Sequence, residues 1–245
     1  MSTSAILNNQ PSAEEALPKI GRHVTPHVVS YDDDRALLVI KLVGMPFEAI
    51  DDAMIQNRFD NRNGLIAALA KDKGNRLAIW TTTRREKVEF GSKFAFKSKF
   101  MEQFSSQYLT RFGSGKYFEN SFYIALLLKH DDLEEGAKEL EDLGKMVKQS
   151  LSSYDPEYLE SYSIDGVMFS QVYEYLGLLY NGVKERIPVL SSPGREVIPS
   201  SALHWGYETL NIRADNTERF ATAYDLKDFP DTSAWGQFDA ILTLP

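Results

Sequence analysis

The longest uninterrupted apolar run in this chain covers residues 122–128, between Ser121 and Lys129. An unbroken run of this length, without polar alternation, is typical of an interior strand that is covered on both faces. It is also far short of the roughly 18 residues that a membrane-spanning helix needs. We therefore expect it to be the central strand of a sheet in a globular protein.

The helix predicted before this strand, residues 94–112, carries an aromatic residue at every fourth position. We call these residues the aromatic ridge: Phe96, Phe100, Phe104, Tyr108 and Phe112. Residues four apart are neighbours on one helix face, so the pattern predicts a single bulky ridge. We expect the ridge to pack on the sheet, because large aromatic side chains usually serve the core. A cofactor-binding or base-stacking surface is the less favoured alternative.

The helix predicted after the strand, residues 132–151, has an apolar stripe with heptad-like spacing. Its first turn is acidic and its last turn basic, which suits the helix macrodipole. Its acidic residues are interpreted as a solvated helix face rather than a metal site. The stripe consists of Leu133, Ala137, Leu140, Gly144, Val147 and Leu151.

The remaining segments predict a mixed α+β (α/β) protein with two βαβ-type layered subdomains and mixed sheets. A hairpin of residues 27–31 and 36–43 precedes a helix that ends at Gly74, and a second hairpin pairs residues 207–213 with 219–226. A helix over 166–180 and one through about residue 242 are also expected. The helix that ends at Gly74 should face inward through Ile55, Phe59, Ile66 and Leu69. The second hairpin and the helix after it predict a pseudo-repeat of the first unit that is incomplete at the C-terminus.

These elements predict five segments along the chain. They are a disordered tail at 1–17, a first α/β subdomain at 18–155, a helical segment at 156–182, a linker at 183–205 and the start of a second α/β subdomain at 206–245. The linker prediction depends on its prolines, glycine and serines.

Composition narrows the functional classes. The chain of 245 residues has no cysteine, which excludes disulfides, zinc–thiolate sites and a catalytic thiol. Its net charge of -8 disfavours nonspecific binding to nucleic acid or anionic lipid, although a local patch could do either. The N-terminus lacks the features of a secretory signal. A soluble cytoplasmic protein is the expectation.

No motif in the chain predicts catalysis or metal binding. Residues 113–116 read Gly-Ser-Gly-Lys, but a phosphate loop needs Gly and Ser or Thr at the positions that Thr110 and Tyr117 occupy. His23 and His27 have the spacing of a helical metal pair, yet Pro26 between them indicates an extended chain. We expect no catalytic, cofactor-binding or metal residue in this chain, and a standalone enzyme of another type stays a third hypothesis.

One local feature has a charge opposite to that of the chain. Between residues 84 and 99 there are six basic residues and two acidic ones, a net +4: Arg84, Arg85, Lys87, Lys93, Lys97 and Lys99. Such a run is usually a solvated strand end and loop. Its functional alternatives are an acidic protein partner, anionic headgroups at a membrane surface, or nucleic acid, in that order.

Several segments resemble, in order, the N-terminal region of the type IV secretion and conjugal-transfer ATPases (the CagE/TrbE/VirB family). They are residues 22–28 with the following hairpin, 78–85, 123–129, 174–182, 228–232 and 238–245. The family's phosphate loop has no counterpart here, so ATP and Mg²⁺ are expected only in a C-terminal module beyond this chain.

The resemblance implies a role at the cytoplasmic face of the bacterial inner membrane. The expected partners are small inner-membrane components of the secretion channel and other copies of the same protein. The chain is then a docking and scaffold domain rather than an enzyme. The alternative is a nucleic-acid-binding module of a conjugative DNA-transfer protein, which the basic run motivates.

Overall fold

The computed structural model describes residues 19–32, 34–44, 50–87, 96–112, 117–214 and 217–224. Its strands are β1 Ile20–His23, β2 Val28–Tyr31, β3 Arg35–Leu42, β4 Leu77–Lys87, β5 Phe118–Lys129, β6 Pro156–Tyr158, β7 Ser161–Ile164, β8 Val167–Ser170, β9 Ala202–Trp205, β10 Leu210–Ala214 and β11 Thr217–Ala221. Its helices are α1 Asp52–Lys73, α2 Lys99–Phe112, α3 Leu133–Ser150, α4 Gln171–Asn181 and the single turn α5 Gly194–Val197. Helices combined with antiparallel sheets confirm the predicted mixed α+β class.

The described chain divides into two compact units. The first holds the residues up to Trp80 and then Ile124–Ala223, and the second holds Thr81–Tyr123 with Tyr224. Both boundaries in the middle of the chain fall inside strands, β4 and β5. The five-segment division of the chain stays a prediction.

The largest sheet has six strands in the order β1–β2–β3–β5–β4, with β6 also pairing with β3. In the first hairpin Val28 lies opposite Leu38 and Tyr31 lies opposite Arg35, so that prediction is confirmed. Its turn begins at Asp32, whose φ of 56° lies in the left-handed region that aspartate tolerates better than most residues.

The core lies between this sheet and α3. Five consecutive side chains of β3, Ala36–Ile40, are buried, and α3 contributes Ala137, Leu140, Gly144 and Val147. Asp132 caps the helix, since its Oδ1 accepts the amide hydrogen of Glu135 at 2.9 Å. The predicted helix and its stripe are confirmed, except that Leu133 is only half-buried.

The strand β5 differs from the prediction at one end. It is an interior strand between β3 and β4, and Ala125, Leu126 and Leu128 are buried. Phe122, at the start of the apolar run, is exposed. The prediction of a strand covered along the whole run is therefore wrong, because an apolar run does not specify how far its neighbours extend.

The helix α1 buries a narrower face than predicted. Asp51 caps it by accepting the amide hydrogen of Met54 at 2.7 Å, and it ends at Gly74, as expected. Leu65 and Leu69 are the buried residues, whereas Ile66 is exposed. The inward assignment of Ile66 is wrong, since the helix turns its neighbour Leu65 to the core instead.

The segment 161–170 forms a hairpin of β7 and β8 that the sequence analysis did not predict. Its turn is Asp165–Gly166, with φ of 50° and 80°. An Asp-Gly pair after a segment with apolar residues at alternate positions, Tyr162 and Ile164, is a hairpin signal, so the sequence contained the information. The predicted start of the following helix at residue 166 is wrong, because α4 begins at Gln171. Its predicted end near residue 180 is confirmed, since α4 ends at Asn181 and is capped by Gly182.

The second predicted hairpin is also present, with Leu210 opposite Ala221 and Ala214 opposite Thr217. Strand β9 completes a three-stranded sheet on the other side of β10. The segment predicted as a linker contains α5 and β9. The predicted N-terminal tail and the predicted C-terminal helix lie outside the described residues.

Candidate partner-facing surface

The basic residues predicted as a partner surface have different environments. Arg84 pairs with the carboxylate of Glu86, and the guanidinium carbon of Arg85 lies 4.1 Å from the centroid of the Phe118 ring. A cation over an aromatic face is attracted by the ring quadrupole. Both arginines, on β4, are therefore engaged within the chain.

The lysines of the same set are more accessible. Lys87 at the end of β4, Lys97 before α2 and Lys99 at its first position are all exposed. Lys93 lies outside the described residues. The structure thus separates the predicted set into two engaged arginines and three exposed lysines, and the proposal that these residues meet a partner stays a prediction.

Four residues of the aromatic ridge are exposed, Phe96 before α2 and Phe100, Phe104 and Tyr108 on it, so the prediction that the ridge packs on the sheet is wrong. Phe100 is 70%, Phe104 57% and Tyr108 53% accessible. The Phe104 ring centroid lies 6.3 Å from the centroid of Phe100 and 6.3 Å from that of Tyr108, with near-parallel planes. These rings stack along the helix, as i,i+4 neighbours can.

The covered side of α2 is a different one. Between residues 99 and 110 the two side chains that are not exposed are Ser105 and Leu109. Leu109 follows Phe104 by five residues, which is about 140° around a helix of 3.6 residues per turn. A four-residue repeat defines one apolar face, but it does not say which face the rest of the protein covers.

A polar junction that the sequence analysis missed surrounds the segment 21–28. The His23 Nε2 atom lies 2.7 Å from the Ser170 hydroxyl oxygen, which also accepts the amide hydrogen of Tyr173 at 3.0 Å and so caps α4. The Tyr173 hydroxyl donates to the carbonyl oxygen of Gly21 at 2.9 Å. Burial lowers the pKa of His23, and burial raises the pKa of Tyr173 to about 12.

The other side of this junction meets α3 and the strand β6. The Thr25 hydroxyl donates to the Glu141 carboxylate at 2.6 Å. The His27 ring centroid lies 4.8 Å from that of Tyr158, and His27 Nδ1 lies 3.7 Å from a Glu160 carboxylate oxygen. These contacts join distant parts of the first unit, so the junction serves packing and position. No single residue type in the sequence marks it.

The described residues hold no cluster suited to a metal ion, and the order of the elements argues against a phosphate loop. Among them no group of three or more His, Asp or Glu side chains could hold a metal ion. The segment 113–116 lies outside the described residues, but it follows α2 and precedes β5. A phosphate loop follows a strand and precedes a helix, so these residues do not fit one.

Across the described ranges, no helix combines the length and apolar character that a membrane span requires.

Comparison with known proteins places the chain in a family. A family model described as the N-terminal domain of the type IV secretion system ATPase VirB4/TrbE matches residues 27–134. A second, described as the CagE, TrbE, VirB family, component of a type IV transporter system, matches residues 157–245. The chain belongs to the CagE/TrbE/VirB family. The resemblance of its ordered segments is thereby confirmed.

Individual CagE/TrbE/VirB relatives match along almost the whole chain. The type IV secretion system protein virB4 of Bartonella quintana is 25% identical over 98% of this chain and 33% of its own length. Protein virB4 of Agrobacterium fabrum is 26% identical over 95% of this chain and 32% of its own. The type IV secretion system protein virB4 of Brucella abortus is 23% identical over 96% of this chain and 31% of its own length. The chain thus spans about a third of the length of these relatives.

Proposed function

We propose that this chain is an N-terminal docking and scaffold domain of a type IV secretion ATPase. It contacts small inner-membrane components of the secretion channel and other copies of itself, at the cytoplasmic face of the bacterial inner membrane. The observation that carries the proposal is the ordered match of an N-terminal-domain model and a transporter-family model, at 27–134 and 157–245.

In this proposal ATP hydrolysis belongs to the remaining two thirds of a full-length relative. The chain itself neither hydrolyses nor tightly binds ATP. Its Gly-Ser-Gly-Lys segment, residues 113–116, follows a helix and precedes a strand, whereas a phosphate loop follows a strand and precedes a helix. Incubation of the purified chain with ATP and Mg²⁺ tests this. Saturable turnover that persists in a contaminant-free preparation would contradict it.

The exposed lysines Lys87, Lys97 and Lys99 are the proposed partner-facing charges. Their sign opposes that of the whole chain, and they stay accessible while Arg84 and Arg85 are engaged. Exposed charges contribute little to folding stability, so their replacement should separate binding from folding.

The test is capture of detergent-solubilised small inner-membrane components of the cognate secretion system by the immobilised chain. Lys87→Glu/Lys97→Glu/Lys99→Glu should weaken capture, whereas a control with exposed lysines elsewhere, Lys138→Glu/Lys184→Glu, should not. Equal capture by both variants would count against this surface. Salt-sensitive binding of single-stranded DNA by the unmodified chain, with no protein capture, would favour the nucleic-acid alternative.

A further inference from the structure

The exposed helix α2 has the side-chain pattern of a helix that lies in a membrane interface. Phe100, Met101 and Phe104 are exposed apolar residues on its first two turns. Away from the ridge its exposed side chains are mostly uncharged and polar, namely Gln103, Ser106, Gln107 and Thr110, with Glu102 as an acidic residue in the first turn. An amphipathic helix with bulky apolar side chains and a polar opposite face can lie in the plane of a bilayer surface.

Basic residues are interleaved with the aromatic ones at the start of this helix. Lys97 and Lys99 lie between Phe96 and Phe100, and all four of these side chains are exposed. The charge of the surrounding segment agrees with this pattern. Residues 81–123 contain eight basic and four acidic residues, a net charge of +4. The whole chain has a net charge of -8, so the remaining residues together carry -12.

We propose that α2 docks on the surface of an anionic phospholipid bilayer. Phe100, Met101 and Phe104 enter the boundary between headgroups and acyl chains, and Lys97 and Lys99 contact the phosphates. This deepens the proposed function, since it names the surface by which the domain meets the membrane. Lysines beside a shallowly inserted apolar helix face are the combination that anionic lipid attracts.

Two other binding partners of α2, a second copy of the chain and a single-stranded nucleic acid, fit the charges around this helix less well. A second copy of the chain would bring one net positive segment against another, which opposes association. A single-stranded nucleic acid would need a positively charged groove beside the aromatic platform. The arginines of β4 are engaged with Glu86 and Phe118, and the exposed lysines described at this helix, Lys97 and Lys99, lie at its N-terminal end.

The experiment is flotation of the full 245-residue chain with vesicles. One set contains phosphatidylglycerol and phosphatidylcholine in equal parts, and the other contains phosphatidylcholine alone. The variants are Phe100→Ser/Phe104→Ser and Lys97→Glu/Lys99→Glu. Their controls are Trp205→Ser/Phe220→Ser, which removes exposed aromatic residues from the β9–β11 sheet, and Lys138→Glu/Lys184→Glu. Circular dichroism melting checks that each variant folds.

We expect the chain to float with the anionic vesicles, and added salt should weaken this binding. Both α2 variants should lose about tenfold or more in apparent affinity, while both controls keep it. The proposal is overturned by equal binding of the α2 variants, by equal binding to neutral vesicles, or by binding of single-stranded DNA instead of vesicles. A dimer that the Phe100/Phe104 variant dissociates, without vesicle binding, would also overturn it. The flotation assay contains no protein partner. A negative result in it would therefore overturn the membrane-docking proposal without bearing on the capture of inner-membrane proteins.

Discussion

The Nε2 atom of His23 lies 2.7 Å from the hydroxyl oxygen of Ser170, although the residues are 147 positions apart. The same hydroxyl oxygen caps α4 by accepting the amide hydrogen of Tyr173. One small side chain therefore holds the end of β1 and the start of α4 in a fixed relation.

Ser170→Ala should destabilise the protein by about 2 kcal/mol. The substitution removes a helix cap, usually worth about 1 kcal/mol, and leaves the half-buried imidazole of His23 without this partner. Urea unfolding followed by circular dichroism measures the loss. Ser153→Ala, at an exposed serine, is the control and should change the free energy of unfolding little. Equal values for both variants would show that the Ser170 hydroxyl contributes nothing.

The stability should fall as the pH drops from neutral. Burial holds the pKa of His23 below its usual value of 6.5, so the unfolded chain binds a proton more readily than the folded one. The contribution of neutral His23 is complete above about pH 6.5 and is lost progressively below it. Urea unfolding at several pH values between about 5 and 8 measures this slope, above the range where carboxylates titrate.

His23→Gln, which cannot gain a proton, should flatten that slope relative to the unmodified chain. A slope that survives the substitution would assign the pH dependence to other groups.

Phe104→Ala should change the free energy of unfolding by no more than about 1 kcal/mol, because the ring is exposed. Leu140→Ala, at a fully buried position of α3, should cost about 2–5 kcal/mol. The two substitutions, compared in the same thermal melts, distinguish an exposed ridge from a core ridge. A loss at Phe104 as large as that at Leu140 would mean that the ring is covered.

Two helical glycines should respond to alanine in opposite ways. A Cβ atom at Gly64 would meet nothing within 4 Å, so Gly64→Ala should stabilise α1 by about 1 kcal/mol. A Cβ atom at Gly136 would lie 2.5 Å from the Cβ of His130, so Gly136→Ala should cost about 1–3 kcal/mol. Melting temperatures of the two variants should move apart. A rise for Gly136→Ala would contradict the close contact at Gly136, and a fall for Gly64→Ala would contradict the open space at Gly64.

The parts of the fold that the sequence predicts well are those where one physical signal dominates. The buried residues of β3 form a continuous apolar run, and the stripe of α3 coincides with a cap at Asp132 and an acidic first turn. Local patterns and tertiary burial agree there, so strand and helix are predictable from short segments.

The errors arise where a local pattern leaves the tertiary partner undefined. The aromatic ridge has the periodicity of a buried face, yet Ser105 and Leu109 form the less exposed side of α2. The same limit applies to Ile66 beside Leu65 in α1. The His23–Ser170 contact joins residues whose proximity depends on the complete fold, and no spacing rule could identify it. The basic run was visible in the sequence, but the engagement of Arg84 and Arg85 was not.

The contacts of the polar junction can form only late in the synthesis of this part of the chain. Translation delivers the N-terminus first, and hairpin β2–β3 can form from neighbouring residues as soon as it leaves the ribosome. The anchors of β1 arrive much later, since Gly21 and His23 bond to Tyr173 and Ser170, and Thr25 bonds to Glu141. The nascent chain therefore lacks these side-chain anchors until residue 173 has been added, and a product that ends before residue 170 would hold β1 only through its pairing with β2.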